Sequence, residues 1–181
     1  MLSFIEFKQK WNKEIYPLIN YEEDKIMKIN IPIESKRFLV ECGLPESAAP
    51  FLSFESSNQG ALLTLKEKYD DIDKYQEDIY IGFTGDGDIL TIESKLGHVV
   101  CINHETLEKF YVNNSIPQLA ESLLEYEQFI NAINEINGEF SYLDRECPKE
   151  QLELIKNRLI NIDKKSIHNG SFWWNEISLF E

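Results

Sequence analysis

Basic residues are scarce in this chain, with 18 lysines and arginines against 32 aspartates and glutamates. The resulting formal charge of −14 argues against a protein that grips nucleic-acid backbones, which takes clustered Lys and Arg. Cysteine is sparse too. Cys42, Cys101 and Cys147 are odd in number and widely spaced, which fits reduced thiols better than a disulfide framework or a paired-cysteine zinc site. No apolar run approaches the roughly 20 residues of a membrane span. The opening M-L-S-F-I-E-F-K-Q-K-W has no basic region ahead of a long apolar stretch and no small-residue cleavage site, so the expected location is the cytoplasm. Also missing are a Gly-x-Ser-x-Gly elbow, a His-Glu-x-x-His pair, a Walker lysine and any internal repeat. What remains is a globular composition, 43% hydrophobic and 12% aromatic, long enough for one core in a single domain over residues 1–181.

The excess acid is concentrated rather than spread. Residues 55–88 hold nine acids against three bases, and residues 121–153 hold nine against two. Between Lys109 and Arg145 there is no basic residue, although a long helix is expected there and Glu-Lys pairs at i,i+4 would be easy to place. Glu121 and Glu125 instead form a like-charged i,i+4 pair, at a cost of roughly a few tenths of a kcal/mol. Such windows serve either as a solvated face that maintains solubility or as a docking surface for a basic partner.

Periodicity gives the elements. Ile79, Ile81 and Phe83 alternate, Gly85-Asp86-Gly87-Asp88 turns the chain, Leu90 and Ile92 alternate again, and Val99 and Cys101 begin a third run after Gly97. This is a β-meander, with further strands expected at Phe51–Phe54, Ala61–Leu65 and Phe110–Val112. Whether Val99, Cys101 and Ile102 form a central strand or a pairing edge stays open at this level. Helices are expected over residues 2–12 and from Pro32 to a Gly43 cap. A third runs from a Ser115 N-cap to about Asn137, with Ile116, Leu119, Leu123, Tyr126, Ile130 and Ile133 in one stripe. A C-terminal helical extension, 148–181, starts at Pro148 with Leu152, Ile155 and Leu159 and ends in the Phe172-Trp173-Trp174 cluster, which is expected to pack on the core. The fold class is α+β, a mainly antiparallel sheet of five or six strands packed against several helices.

No complete catalytic set emerges. Asp86 and Asp88 flank Gly87, but a calcium loop needs oxygen ligands at five or six fixed positions, so the pair reads as turn chemistry. His98 and His104 sit six apart near the ends of one strand, on one face by even spacing, with Glu105 beside the second. No third ligand lies near, and a hydrogen-bonded structural role fits His104 and Glu105 better than a metal. Cys101 reads as a small core residue. An enzyme built on Asp86, Asp88, His104 and Glu105 has no assignable roles, and no cofactor or metal is expected.

The run I-G-F-T-G-D-G-D-I-L-T-I (Ile81 to Ile92), then Gly97, Val99 and Asn103-His104-Glu105, then Val112-Asn113-Asn114-Ser115-Ile116 and an amphipathic helix, resembles the SUKH superfamily, in particular its fourth immunity-protein group. Phe38-Leu39 and Cys42-Gly43-Leu44-Pro45 resemble that group's helix end before its first strand. The match covers about residues 30–136, and the order and spacing of the motifs carry it. The resemblance implies a bacterial immunity protein that binds and neutralises a cognate polymorphic toxin, often a nuclease, without enzymatic activity. A carboxylate-rich face suits the basic cleft of such a nuclease. The expected contact residues are Glu121, Glu125, Glu139, Asp144 and Glu146, then Asp70, Asp71 and Asp73, with Asp86 and Asp88 behind them. The alternative reading is a regulatory or scaffolding interaction module. In either case the partner is a protein, with neither nucleic acid nor membrane expected.

Overall fold

The computed structural model describes residues 2–181. Six strands form one antiparallel sheet in chain order: β1 (Ser47–Ala48), β2 (Leu52–Phe54), β3 (Ile79–Thr84), β4 (Ile89–Ile92), β5 (Val99–Ile102) and β6 (Lys109–Asn113). Around it lie α1 (Phe4–Lys10), α2 (Glu23–Ile26), α3 (Ile33–Glu41), α4 (Leu65–Lys68), α5 (Ile116–Asn137), α6 (Lys149–Ile162) and α7 (Phe172–Ser178), with a 3-10 turn at Lys164–Ile167. The α+β arrangement expected from the sequence is the one observed.

The strand period decides what each face meets. Ile79, Ile81, Leu90, Ile92, Val99, Cys101 and Val112 point into the main core beneath the helices. Tyr80, Ile89 and Ile102 point the other way and are covered by Leu65, Tyr69, Ile72, Tyr75 and Leu107. Both faces are therefore closed, and every residue of β4 and β5 is buried. β5 lies between β4 and β6, so it is an interior strand and not an edge. Gly82 permits the close approach of β2, because a Cβ there would overlap the Ser53 carbonyl oxygen.

Helix α5 is the main support. The Ser115 hydroxyl accepts from the Gln118 N–H, Pro117 sits in the first turn where its missing donor is harmless, and Gly138 ends the helix at φ 115. Its stripe buries Ile116, Leu119, Leu123, Tyr126 and Ile133, with Ile130 half-buried; each such side chain contributes roughly 1.5 to 3 kcal/mol. α3 ends at Gly43, whose φ of 77 and contact with the Ile19 carbonyl leave no room for a side chain. The C-terminal aromatics join the same core: Trp173 is fully buried, with its ring centroid 5.2 Å from that of Tyr126.

Two local expectations need correction. Ala61–Leu65 is not a strand; only Thr64 makes an isolated bridge, to Ile79, before the chain turns into α4. Thr64 and Glu67 form a capping box, the Thr hydroxyl accepting from the Glu67 N–H while the Glu67 carboxylate accepts from the Thr64 N–H, and this local helix start wins over β-propensity. The strand read as Phe51–Phe54 starts at Leu52, because Phe51 has φ 54 and cannot join the ladder. The two residues of β1 are too short to show a period.

Candidate partner-binding surface

The acids singled out from the sequence divide into four groups. Glu121 and Glu125 are engaged inside the fold. The Glu121 carboxylate accepts from the Leu2 N–H at 2.9 Å, and Arg158 Nη1 on α6 lies 2.6 Å from Glu125 Oε2. The base-free stretch between Lys109 and Arg145 thus receives its cation from a neighbouring helix. Asp70, Asp71 and Asp73 are exposed on the segment after α4, on the sheet face away from α5. Glu139, Asp144 and Glu146 are exposed on the connection from α5 to α6, on the helix side.

Asp86 and Asp88 occupy the β3–β4 turn, with different fates. Asp86 is exposed. Asp88 Oδ1 accepts from Asn103 Nδ2 at 3.2 Å and from the His104 N–H at 3.1 Å, and lies 2.8 Å from His104 Nδ1, so it ties this turn to the β5–β6 turn. That hydrogen bond raises the His104 pKa. Asn103 Oδ1 in turn accepts from the Thr106 N–H, an Asx turn that shapes the second loop.

Beside Asp86 and Asp88 opens a polar depression of about 280 Å³, lined also by Phe51, Asn103, Phe172, Asn175 and Glu176. Glu176, on α7, is the carboxylate that the sequence reading missed. Burial pushes its pKa up to about 7; Arg145 lowers it and Asp86 raises it further, but desolvation is the largest effect. Arg145 itself lies over the rings of Tyr142, at 5.3 Å, and Phe180, at 5.4 Å, which accounts for a guanidinium held against aromatic faces. On the other side of Phe51 and Gly85 is an apolar depression of about 440 Å³ formed by Tyr16, Ala48, Leu52, Ile130, Tyr142 and Leu143. Exposed apolar side chains crowd this region: Phe51 at 57%, Leu143 at 59% and Phe140 at 62%. Nothing in the spacing of Phe51 or Glu176 marks them; an Ala-Pro-Phe turn and a terminal helix bring them together only in three dimensions.

The groups considered for chemistry stay apart. His98 Nδ1 lies 3.1 Å from Glu93 Oε2 and its ring packs edge-on to Tyr111, whereas His104 pairs with Asp88 beyond the other end of β5. Among the described residues no three His, Cys, Asp or Glu side chains form a group that could hold a metal ion. Burial pushes the Cys101 thiol up to about 12 and Cys42 up to about 11, so neither is a thiolate nucleophile at neutral pH. Among the described residues no helix is long and apolar enough to cross a membrane. A larger depression, about 700 Å³ between α2 and residues 57–64, has a rim of mixed sign, with Lys25, Lys28 and Lys95 against Glu67 and Glu77.

Comparison with curated proteins and with solved structures gave no significant match. The family model for SUKH-4 immunity proteins, in contrast, matches residues 17–181, nearly the whole chain and well past the stretch whose motifs are legible by eye. The α+β meander described above, its main core under α5 and its other face covered by α4 and the segment after it, is accordingly that of a member: the chain belongs to the SUKH-4 immunity protein family.

Proposed function

We propose that this protein binds and neutralises a cognate bacterial toxin as a non-enzymatic inhibitor, acting in the cytoplasm through its acidic surface. Membership of the SUKH-4 immunity family over residues 17–181 is the observation that carries the reading. The contact region is the helix-side acidic rim, Glu139, Asp144 and Glu146 on the α5–α6 connection whose Tyr142 and Leu143 line the apolar depression beside Phe51, together with Asp86 and Asp88, which line the polar one. Asp70, Asp71 and Asp73, on the other side of the sheet, add long-range attraction. Glu121 and Glu125 act mainly inside the fold, given their partners Leu2 and Arg158.

The toxin fitting this surface is a basic one, and a nuclease is the natural class, since a cleft that holds phosphates presents Lys and Arg to the acids. Inhibition then needs no chemistry: occupying or overlapping the cleft excludes substrate. Co-expression tests the reading. Cells expressing the cognate toxin domain survive when the chain is present and die when it is absent; death in both cases overturns the proposal.

A further inference from the structure

We propose that Phe51 is the anchor of the partner interface, inserted into a segment of the partner that places an apolar side chain on one side of the ring and a lysine or arginine on the other. The inference rests on the reading of the chain as an inhibitor and specifies where and by what chemistry it binds.

Phe51 combines exposure with backbone strain. Its φ of 54 lies in the left-handed region, which is strained for an aromatic residue, yet the residue is 57% exposed and nothing inside the chain encloses it. The conformation is held by the Gly85 N–H, which donates to the Phe51 carbonyl at 2.8 Å, and the Tyr142 ring stands 6.1 Å away. A phenylalanine kept proud at such a position has no packing rationale within the monomer.

The two sides of the ring differ in chemistry. Towards Ala48, Ile130 and Leu143 the depression is apolar; towards Asp86 and Asp88 it is acidic. An exposed aromatic between a dry hollow and the turn carboxylates Asp86 and Asp88 has the anatomy of an interface hot spot, with apolar burial for affinity and charge for orientation. The occupant is a protein segment rather than a small molecule, because the ring rises between two open hollows instead of lining one enclosed cavity. It is not a second copy of this chain, since the turn carboxylates Asp86 and Asp88 would then meet their own like charges. The complementary occupant carries Lys or Arg beside Leu, Ile, Met or an aromatic residue.

Nuclear magnetic resonance on the intact chain tests this with a short peptide of alternating leucine and arginine, against the same peptide with glutamate replacing arginine. The expected result is shifts at residues 50–54, 85–88, 142–144 and 172–177 with the arginine peptide alone, and affinity about tenfold weaker in Phe51→Gly. Glycine fits φ 54, so this variant loses the ring without losing the fold. Absence of binding, shifts elsewhere, equal response to both peptides, or unchanged affinity in Phe51→Gly overturns the proposal. The two readings fail separately: survival of toxin-expressing cells with undiminished toxin affinity in Phe51→Gly removes the anchor and leaves inhibition standing, whereas no protection by the unaltered chain removes inhibition whatever the peptide map shows.

Discussion

Trp173 Nε1–H donates to Asn113 Oδ1 at 2.9 Å in a site from which both residues are excluded from water. Asn113 Nδ2 donates onward to Ser122 Oγ at 3.1 Å, so one buried asparagine side chain joins α7, β6 and α5. The C-terminal helices are thereby fixed to the sheet by satisfied polar contacts as well as by apolar burial.

Trp173→Phe keeps most of the ring volume but leaves the Asn113 carbonyl oxygen buried and unpaired, a penalty of about 1 to 3 kcal/mol. Urea denaturation should show a lower midpoint with an unchanged slope. A loss below about 0.5 kcal/mol would mean that the hydrogen bond is replaced or dispensable.

The Glu125–Arg158 pair is partly exposed, with side-chain accessibilities of 25% and 40%, so screening limits it. A double-mutant cycle with Glu125→Gln and Arg158→Gln should give a coupling of about 0.5 kcal/mol that shrinks with salt. Glu125→Lys should lower stability on its own, by setting like charges across α5 and α6, whereas Asp144→Lys at an exposed position should leave stability nearly unchanged.

Glu176 makes stability depend on pH in a fixed direction. Its pKa is raised from 4.5 to about 7 in the folded chain, so the native state binds the proton more tightly than the unfolded one. Its favourable contribution is complete below pH 4.5 and is lost as pH rises through about 7. Glu176→Gln removes this dependence: equal to the parent chain in acid, it should be more stable by about 3 kcal/mol at alkaline pH. The groups facing Glu176 are Arg145, Asp86, Tyr142, Tyr126 and Cys101, and the comparison of the two chains across pH isolates the carboxylate from them. A difference independent of pH would show that Glu176 titrates normally.

The meander and α5 are legible in the sequence because period and punctuation agree there: Ile79, Ile81, Leu90 and Ile92 alternate around a Gly-Asp turn, and Ser115 and Gly138 bracket a stripe with a spacing of three and four. Ala61–Leu65 misleads because its apolar run looks extended while Thr64 and Glu67 encode a helix start. Cys101 reads correctly as core because it alternates with buried neighbours. The site is less legible. Charge counting finds the acid-rich windows, but only the fold shows that Glu125 meets Arg158 and that residues 70–73 lie across the sheet from residues 139–146. Phe51 and Glu176 become visible once β1, β2, the β3–β4 turn and α7 converge.

The central claim is that this chain neutralises a basic toxin by binding it. Calorimetric titration with a catalytically inactive form of a candidate cognate toxin domain, at low and high salt, is the most direct measurement. The account predicts saturable one-to-one binding that weakens as salt rises and weakens again in Phe51→Gly and Asp86→Lys. No heat of binding at either salt concentration, with the domain folded, would contradict it.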